Sequence, residues 1–334
     1  MNGGNMPKFV VEADGCSIEF WDQNGLKYKN ITLKPTENHR DMFNKAKNEG
    51  KHYKTCIAEV EVNDVEDCNS AIKGSQKNLD ELSFYLAFAF NHDVFFKNFK
   101  CYKVESGSKD FVTYCFRSSM YVGKMRVGYR RYNISPDGIQ NFIDCGFSNF
   151  LNEDFNKRTG IRRAILWYNA GRDFAYAPAE ITFGSYFIAL EILADYFSKE
   201  NPIKPKLSQD IYPRFKEELK NLYKKLGITE WGNLHSDICN KIQRITIKEK
   251  ITALLSAYDL QLYENVAHDF VDLRNKIFHE GKGDIVEEYG GWATILKRIE
   301  KLLVKLVLKI LKCYDMDEVH SSIKKDDLLD RGKM

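Results

Sequence analysis

Halfway along this chain the spacing of apolar residues changes, and that change limits the folds open to it. In the first part apolar side chains alternate with polar ones, as on a strand with one wet face. Residues 9–21 alternate and turn at Asp14-Gly15, residues 31–33 form a short run, and residues 55–62 alternate Ile57, Val60 and Val62 with acids. Residues 95–105 and 111–117 have the same character. From Ile161 onward apolar residues recur every three or four positions, at 161–171, 178–199, 210–226, 229–244, 247–258, 262–280 and 291–314. Single apolar stripes joined by short connections specify amphipathic helices packed antiparallel. The fold class expected is α+β: a β-rich N-terminal domain over residues 1–155, an all-α helical bundle over 156–320 and a polar tail over 321–334. The boundary falls in the polar stretch 152–160, which lacks apolar periodicity. Residues 79–91 are so uniformly apolar that a buried helix and a buried strand both fit.

Charge excludes one class of partner. The 50 Lys and Arg residues nearly balance 47 Asp and Glu, which argues against wholesale coating of DNA and leaves nucleic-acid contact to local patches. The 8 cysteines are scattered without a C-x-x-C pair, the pattern of free thiols in a reducing compartment. No H-E-x-x-H occurs, so no metal site is expected. The first residues, MNGGNMPKF, lack the apolar run of a signal peptide. No apolar stretch approaches the ~20 residues of a membrane span. The expected location is the cytoplasm, away from membranes.

Two charged residues break the helical pattern. In residues 266–281, VAHDFVDLRNKIFHEG, the apolar positions Val266, Phe270, Leu273 and Ile277 form one stripe, which Val271 and Phe278 widen. At about 100° per residue, Arg274 falls inside that arc. A guanidinium cannot be left unpaired in apolar surroundings, and its neighbours three and four residues away are all apolar. Lys276, in contrast, has Asp272 and Glu280 within reach. Arg274 must therefore meet a distant carboxylate, an interface or an anion. The second misplaced charge is Glu191, between Phe187 and Ile188 on the wheel of helix 178–199. The simplest account packs the two helices together so that Glu191 orients Arg274, although a purely structural ion pair has the same pattern. His279 closes the arginine helix, with Gly281 as its cap, and supplies a group that titrates near neutrality.

Arg274-Asn275 followed three residues later by His279, late in a helix of an all-α region, resembles the signature of HEPN domains, the higher eukaryote and prokaryote nucleotide-binding helical bundles. The layout, a β-rich first half with ALEIL early and RNKIFH late in the second, resembles ApeA-like anti-phage proteins. The resemblance implies a metal-independent endoribonuclease without a cofactor, acting in antiviral defence by abortive infection or as a toxin. It implies that the 2′-hydroxyl attacks the adjacent phosphate to leave cyclic phosphate ends, with Arg274, Asn275, His279 and Glu191 as the site. It also implies a homodimer that pools two motifs, and an N-terminal domain that senses a viral or regulatory trigger. Arg274 and His279 lie about 140° apart on an ideal helix, so one chain is expected to converge them only if the backbone leaves the helix. The alternative is a non-catalytic HEPN module that binds a nucleotide or a protein.

Two basic tracks are candidates for RNA contact. On a strand over residues 120–131, Lys124, Arg126 and Arg130 share one face, with Tyr121 and Tyr132 available to stack on bases. In the last long helix Lys297, Lys301 and Lys305 recur every four residues, followed by Lys309. Like charges at that spacing repel slightly, so an external anion would suit them. Both patterns also suit a solvated face of a core element.

Overall fold

The computed structural model describes residues 8–20, 23–49, 51–105, 108–115, 132–173, 178–204, 206–208, 210–228, 232–281 and 284–313. The basic stretch with Tyr121, Lys124, Arg126 and Arg130 lies outside the described residues, as does the polar tail.

The protein is α+β. Its first part holds β1 (Lys8–Cys16), β2 (Leu26–Tyr28), β3 (Ile31–Pro35), α1 (His39–Glu49), β4 (Lys54–Val62), α2 (Cys68–Phe90), β5 (Phe95–Glu105) and β6 (Ser108–Cys115). The six strands form one antiparallel sheet in the order β2-β3-β4-β1-β5-β6. Alternation decides its two faces. Val11, Ala13, Ala58, Val60, Phe99 and Cys101 are buried. On the wet face Glu12 stands directly opposite Glu59, a pairing that repels. Lys109 Nζ bridges the two carboxylates at 3.1 and 3.2 Å, and Lys34 adds a second contact to Glu59.

Two sequence expectations change here. Residues 39–49 lie in a stretch read as β but form α1, whose Phe43 and Ala46 pack with Tyr53 in a small cluster of their own. The ambiguous run 79–91 belongs to α2, a helix of 23 residues, far longer than a strand of a sheet this size needs. Asp67 caps its start by accepting from Ser70 N at 2.8 Å, and Asn91 ends it in the left-handed region at φ 55°. Its Leu79, Leu82, Leu86, Phe88 and Phe90 are buried, so it covers the dry face of the sheet.

Helices fill the second part. Short turns α3 (Ile139–Phe142) and α4 (Ser148–Leu151) flank a π-helical turn, Ile143–Phe147. Tyr85 of α2 lies 4.2 Å from Phe142, 5.2 Å from Phe147 and 5.1 Å from Phe150, centroid to centroid. Gly146 makes room, since a Cβ there would sit 2.2 Å from the Tyr85 hydroxyl. The polar stretch expected to hold the domain boundary contains α5 (Glu153–Thr159), capped by Asn152 Oδ1, which accepts from Phe155 N at 2.9 Å, and closed by Gly160 at φ +66°. Then follow α6 (Ile161–Asp173), α7 (Ala179–Glu200), α8 (Ile211–Lys225), α9 (Gly232–Gln243), α10 (Ile247–Ala257), α11 (Glu264–Glu280) and α12 (Gly291–Leu311).

One apolar core runs through both parts, from Phe9 and Val11 of the sheet, through α2, to Leu254, Phe270 and Leu306 of the helices. A buried polar network joins them as well. Tyr168 of α6 meets Asn133 at 2.6 Å and Glu300 of α12 at 3.0 Å, and Asn91 donates to Glu300 at 3.1 Å. Arg172, only 3% exposed, pairs with Asp93 at 2.6 Å and donates to Ala87 O at 2.7 Å. No helix among the described residues is long and apolar enough to cross a membrane.

Candidate functional site

The site lies where α11 crosses α7. Helix α11 stays regular to Glu280 and ends at Gly281, which adopts φ 69° and returns its N–H to Lys276 O. The backbone therefore does not unwind, as the 140° separation of Arg274 and His279 suggested it must. Side-chain length closes the gap instead. Arg274 Nη1 lies 2.6 Å from His279 Nε2 and donates to Asn275 Oδ1 at 3.2 Å. A guanidinium has only donors, so the imidazole accepts through its Nε2 lone pair.

Helix α7 runs antiparallel to α11 along this contact: Glu191 meets Arg274, and Gly184, two turns earlier, meets Phe278. Arg274 Nη2 is 3.9 Å from Glu191 Oε1, an ion pair without a tight hydrogen bond. The guanidinium carbon lies 5.9 Å from the centre of the Phe187 ring, a cation–π contact. The two side chains remain 31% and 28% exposed, so the pair is half-buried rather than enclosed as its helical wheels implied. Burial still pushes the Glu191 carboxyl above the usual range. Arg274 pulls it down, Asp195 raises it further and Lys250 opposes that. Lys250 is itself held on Asp195 at 2.6 Å.

Other expected positions fall elsewhere. Asp272, a proposed partner for Lys276, pairs with Lys248 at 2.8 Å, while Lys276 Nζ lies 6.0 Å from the Tyr289 ring centre. Lys297 is exposed, but Lys301 and Lys305 are half-buried, and Lys301 Nζ is shielded from solvent. Lys305 Nζ lies 5.6 Å from the ring of Tyr263, just before the start of α11. His279 is sixteen residues further along, a rise of about 24 Å. Lys305 thus stands at the far end of α11 from the site. Tyr132, a candidate for stacking, directs its hydroxyl to Glu19.

Phe278 was expected to widen the buried stripe, yet it is 50% exposed. Sequence periodicity gave no sign of this, because Gly184 on another helix sets where the ring rests. No group of three or more His, Cys, Asp or Glu side chains that could hold a metal ion occurs among the described residues.

The arrangement combines a fixed cation, an imidazole, an amide and a carboxylate. Such a set can neutralise a phosphate and move a proton beside it. Comparison with protein-family models, with curated proteins and with solved structures finds no match to this chain. The reading of the site therefore rests on its geometry.

Proposed function

We propose that this chain is a metal-independent endoribonuclease of the HEPN type, cleaving RNA by attack of a 2′-hydroxyl on the adjacent phosphate. The observation that carries the reading is the 2.6 Å contact of Arg274 with His279, with Asn275 and Glu191 on the same guanidinium.

The resting geometry suggests the order of events. Arg274 occupies the His279 lone pair until something draws it away. A phosphate is a stronger acceptor for guanidinium than a neutral imidazole, so bound RNA takes Arg274 and frees Nε2. The freed nitrogen accepts the 2′-hydroxyl proton as O2′ bonds to phosphorus. Arg274 neutralises the charge gathering on the phosphoryl oxygens. The P–O5′ bond breaks, O5′ gains a proton, and the products are a 2′,3′-cyclic phosphate and a 5′-hydroxyl. One His279 accepts the first proton, and the His279 of a second copy supplies the other. This gives a homodimer a catalytic reason.

The same geometry favours a second reading. With its lone pair covered by Arg274, His279 is also suited to a module that binds a nucleotide phosphate and transfers no proton. One experiment separates the two. Purified protein is incubated with mixed RNA in EDTA, and the new ends are analysed. The nuclease produces cyclic phosphate ends, and His279→Ala, still folded, loses about a hundredfold or more of the rate. Cleavage undiminished in that variant removes the mechanism. Absence of cyclic ends with retained nucleotide binding gives the second reading. The cytoplasm and a role in antiviral defence or toxicity belong to the same proposal; growth arrest on expression, lost in His279→Ala, tests the latter.

A further inference from the structure

Phe278 is a half-exposed aromatic ring one residue from His279 and one helical turn beyond Arg274. Around α11, at 100° per residue, it stands 40° from Arg274, with Asn275 at 100° and His279 at 140°. The ring thus rises from the arc bounded by the guanidinium and the imidazole. Its opposite boundary is α7. A Cβ on Gly184 would come within 3.0 Å of Phe278 Cζ and 3.7 and 3.8 Å of the two Cε atoms, so the tip of the ring rests against the bare backbone of that glycine. Glycine in the middle of a helix costs stability relative to alanine, and here its lack of a side chain gives the ring its seat. A ring anchored at its tip and still 50% exposed offers its face to solvent beside two groups suited to a phosphate.

We infer that Phe278 is the stacking platform for one unpaired base of the RNA. The inference rests on the nuclease reading and extends it. A phosphate on Arg274 and a base on Phe278 fix the nucleotide at two points, leaving its sugar between them within reach of His279. Aromatic stacking accepts any base, because every base has a π face. In a duplex those faces are covered by neighbouring base pairs. The ring stands beside Arg274, Asn275 and His279, the groups that hold RNA in the nuclease reading, which puts it along the bound strand, and their charge does not suit the core of a protein interface.

The test uses the full-length protein and a short single-stranded RNA carrying 2-aminopurine, whose fluorescence falls when the base stacks. Quenching is measured with the uncleaving His279→Ala protein, and KM and kcat with the His279-bearing chain. Phe278→Leu keeps an apolar side chain and the helix, so the stacking role predicts lost quenching and a KM raised about fivefold to a hundredfold. Phe278→Trp restores both. Gly184→Ala, which displaces the ring but favours the helix, lowers quenching while the thermal midpoint holds or rises. An RNA duplex of the same sequence is cut more slowly than the single strand.

Equal quenching by Phe278→Leu and the parent overturns the inference while leaving the nuclease standing. A changed oligomeric state in Phe278→Leu, with quenching intact, overturns it too and makes the ring a protein contact. If the parent cuts no RNA, the nuclease reading falls, and quenching by that parent protein decides the stacking on its own.

Discussion

Burial holds the Glu191 carboxyl above its ordinary range, and Arg274 draws it only part of the way back. That balance has a stability consequence of definite sign. As pH rises past about 4.5, the unfolded carboxyl loses its proton before the folded one, so stability falls across the window up to the raised folded value. Above that window the penalty is constant. Glu191→Gln cannot ionise, and its urea midpoint at neutral pH is expected to equal or exceed that of the parent. Under the proposed nuclease function its activity moves the other way: the guanidinium loses its charged partner on α7, and RNA cleavage is expected to slow about tenfold to a hundredfold. A variant that is less stable at neutral pH and fully active would make Glu191 a structural partner and nothing more. At this scale the sequence was legible where charge conflicts with periodicity: Arg274 and Glu191 stand out on their wheels because ions in apolar arcs need partners. Arg172, far more buried than Arg274, gave no such signal. Its partners, Asp93 and the Ala87 carbonyl, come from the end of α2 and the turn after it, which no local pattern foretells.

Elements with a period of their own were readable, and those defined by their ends were not. The amphipathic helices of the second part and the strands β1, β4 and β5 carry their alternation in the side chains. Helix α5 is short, polar and held by a cap, so it read as a boundary without periodicity. Helix α2 was ambiguous because it is buried on nearly every side, between sheet and bundle. The turn after α2 carries His92, whose Nε2 faces Ser17 O at 2.6 Å and whose Nδ1 faces Phe90 O at 3.0 Å. Burial pushes this imidazole from 6.5 down to about 4, against the pull of the Ser17 carbonyl. The unfolded chain takes a proton near pH 6.5 and the folded one only near pH 4. Stability is therefore full above that window and declines as pH falls through it, by about 3 kcal/mol in total. His92→Gln removes the titration. The stability difference between parent and variant, followed by urea unfolding from pH 7 to pH 4, should narrow or reverse toward the acid end. A difference that stays constant over that range would mean that His92 titrates alike in both states.

For the whole molecule, continuity of the core decides how the chain unfolds. The change of hydrophobic period correctly separates a β-rich part from a helical one, but periodicity reports only which face of an element is dry. It does not report what covers that face. Tyr85 of α2 packs on Phe142, Phe147 and Phe150, and Phe88 lies 5.0 Å from Tyr168 of α6. The Tyr168 hydroxyl meets Asn133 and Glu300, and Arg172 depends on Asp93. Cutting the chain at residue 155 removes Asp93 and the Ala87 carbonyl from the buried Arg172 and exposes one wall of the helical core, losses that weigh heavily against the ~5–15 kcal/mol that holds an ordinary domain together. The fragment 156–334 is expected to keep helical far-ultraviolet dichroism while losing the near-ultraviolet signal of fixed aromatic packing. In the intact chain Tyr168→Phe, which removes the hydroxyl that Asn133 and Glu300 share without opening a cavity, should cost about 1–3 kcal/mol. It should do so in a single transition, with calorimetric and van't Hoff enthalpies equal. Two separate transitions, or a fragment with native near-ultraviolet dichroism, would divide the molecule at residue 155, and any signal from the sheet to the helices that carry Glu191, Arg274 and His279 would then have to cross a joint rather than a shared core.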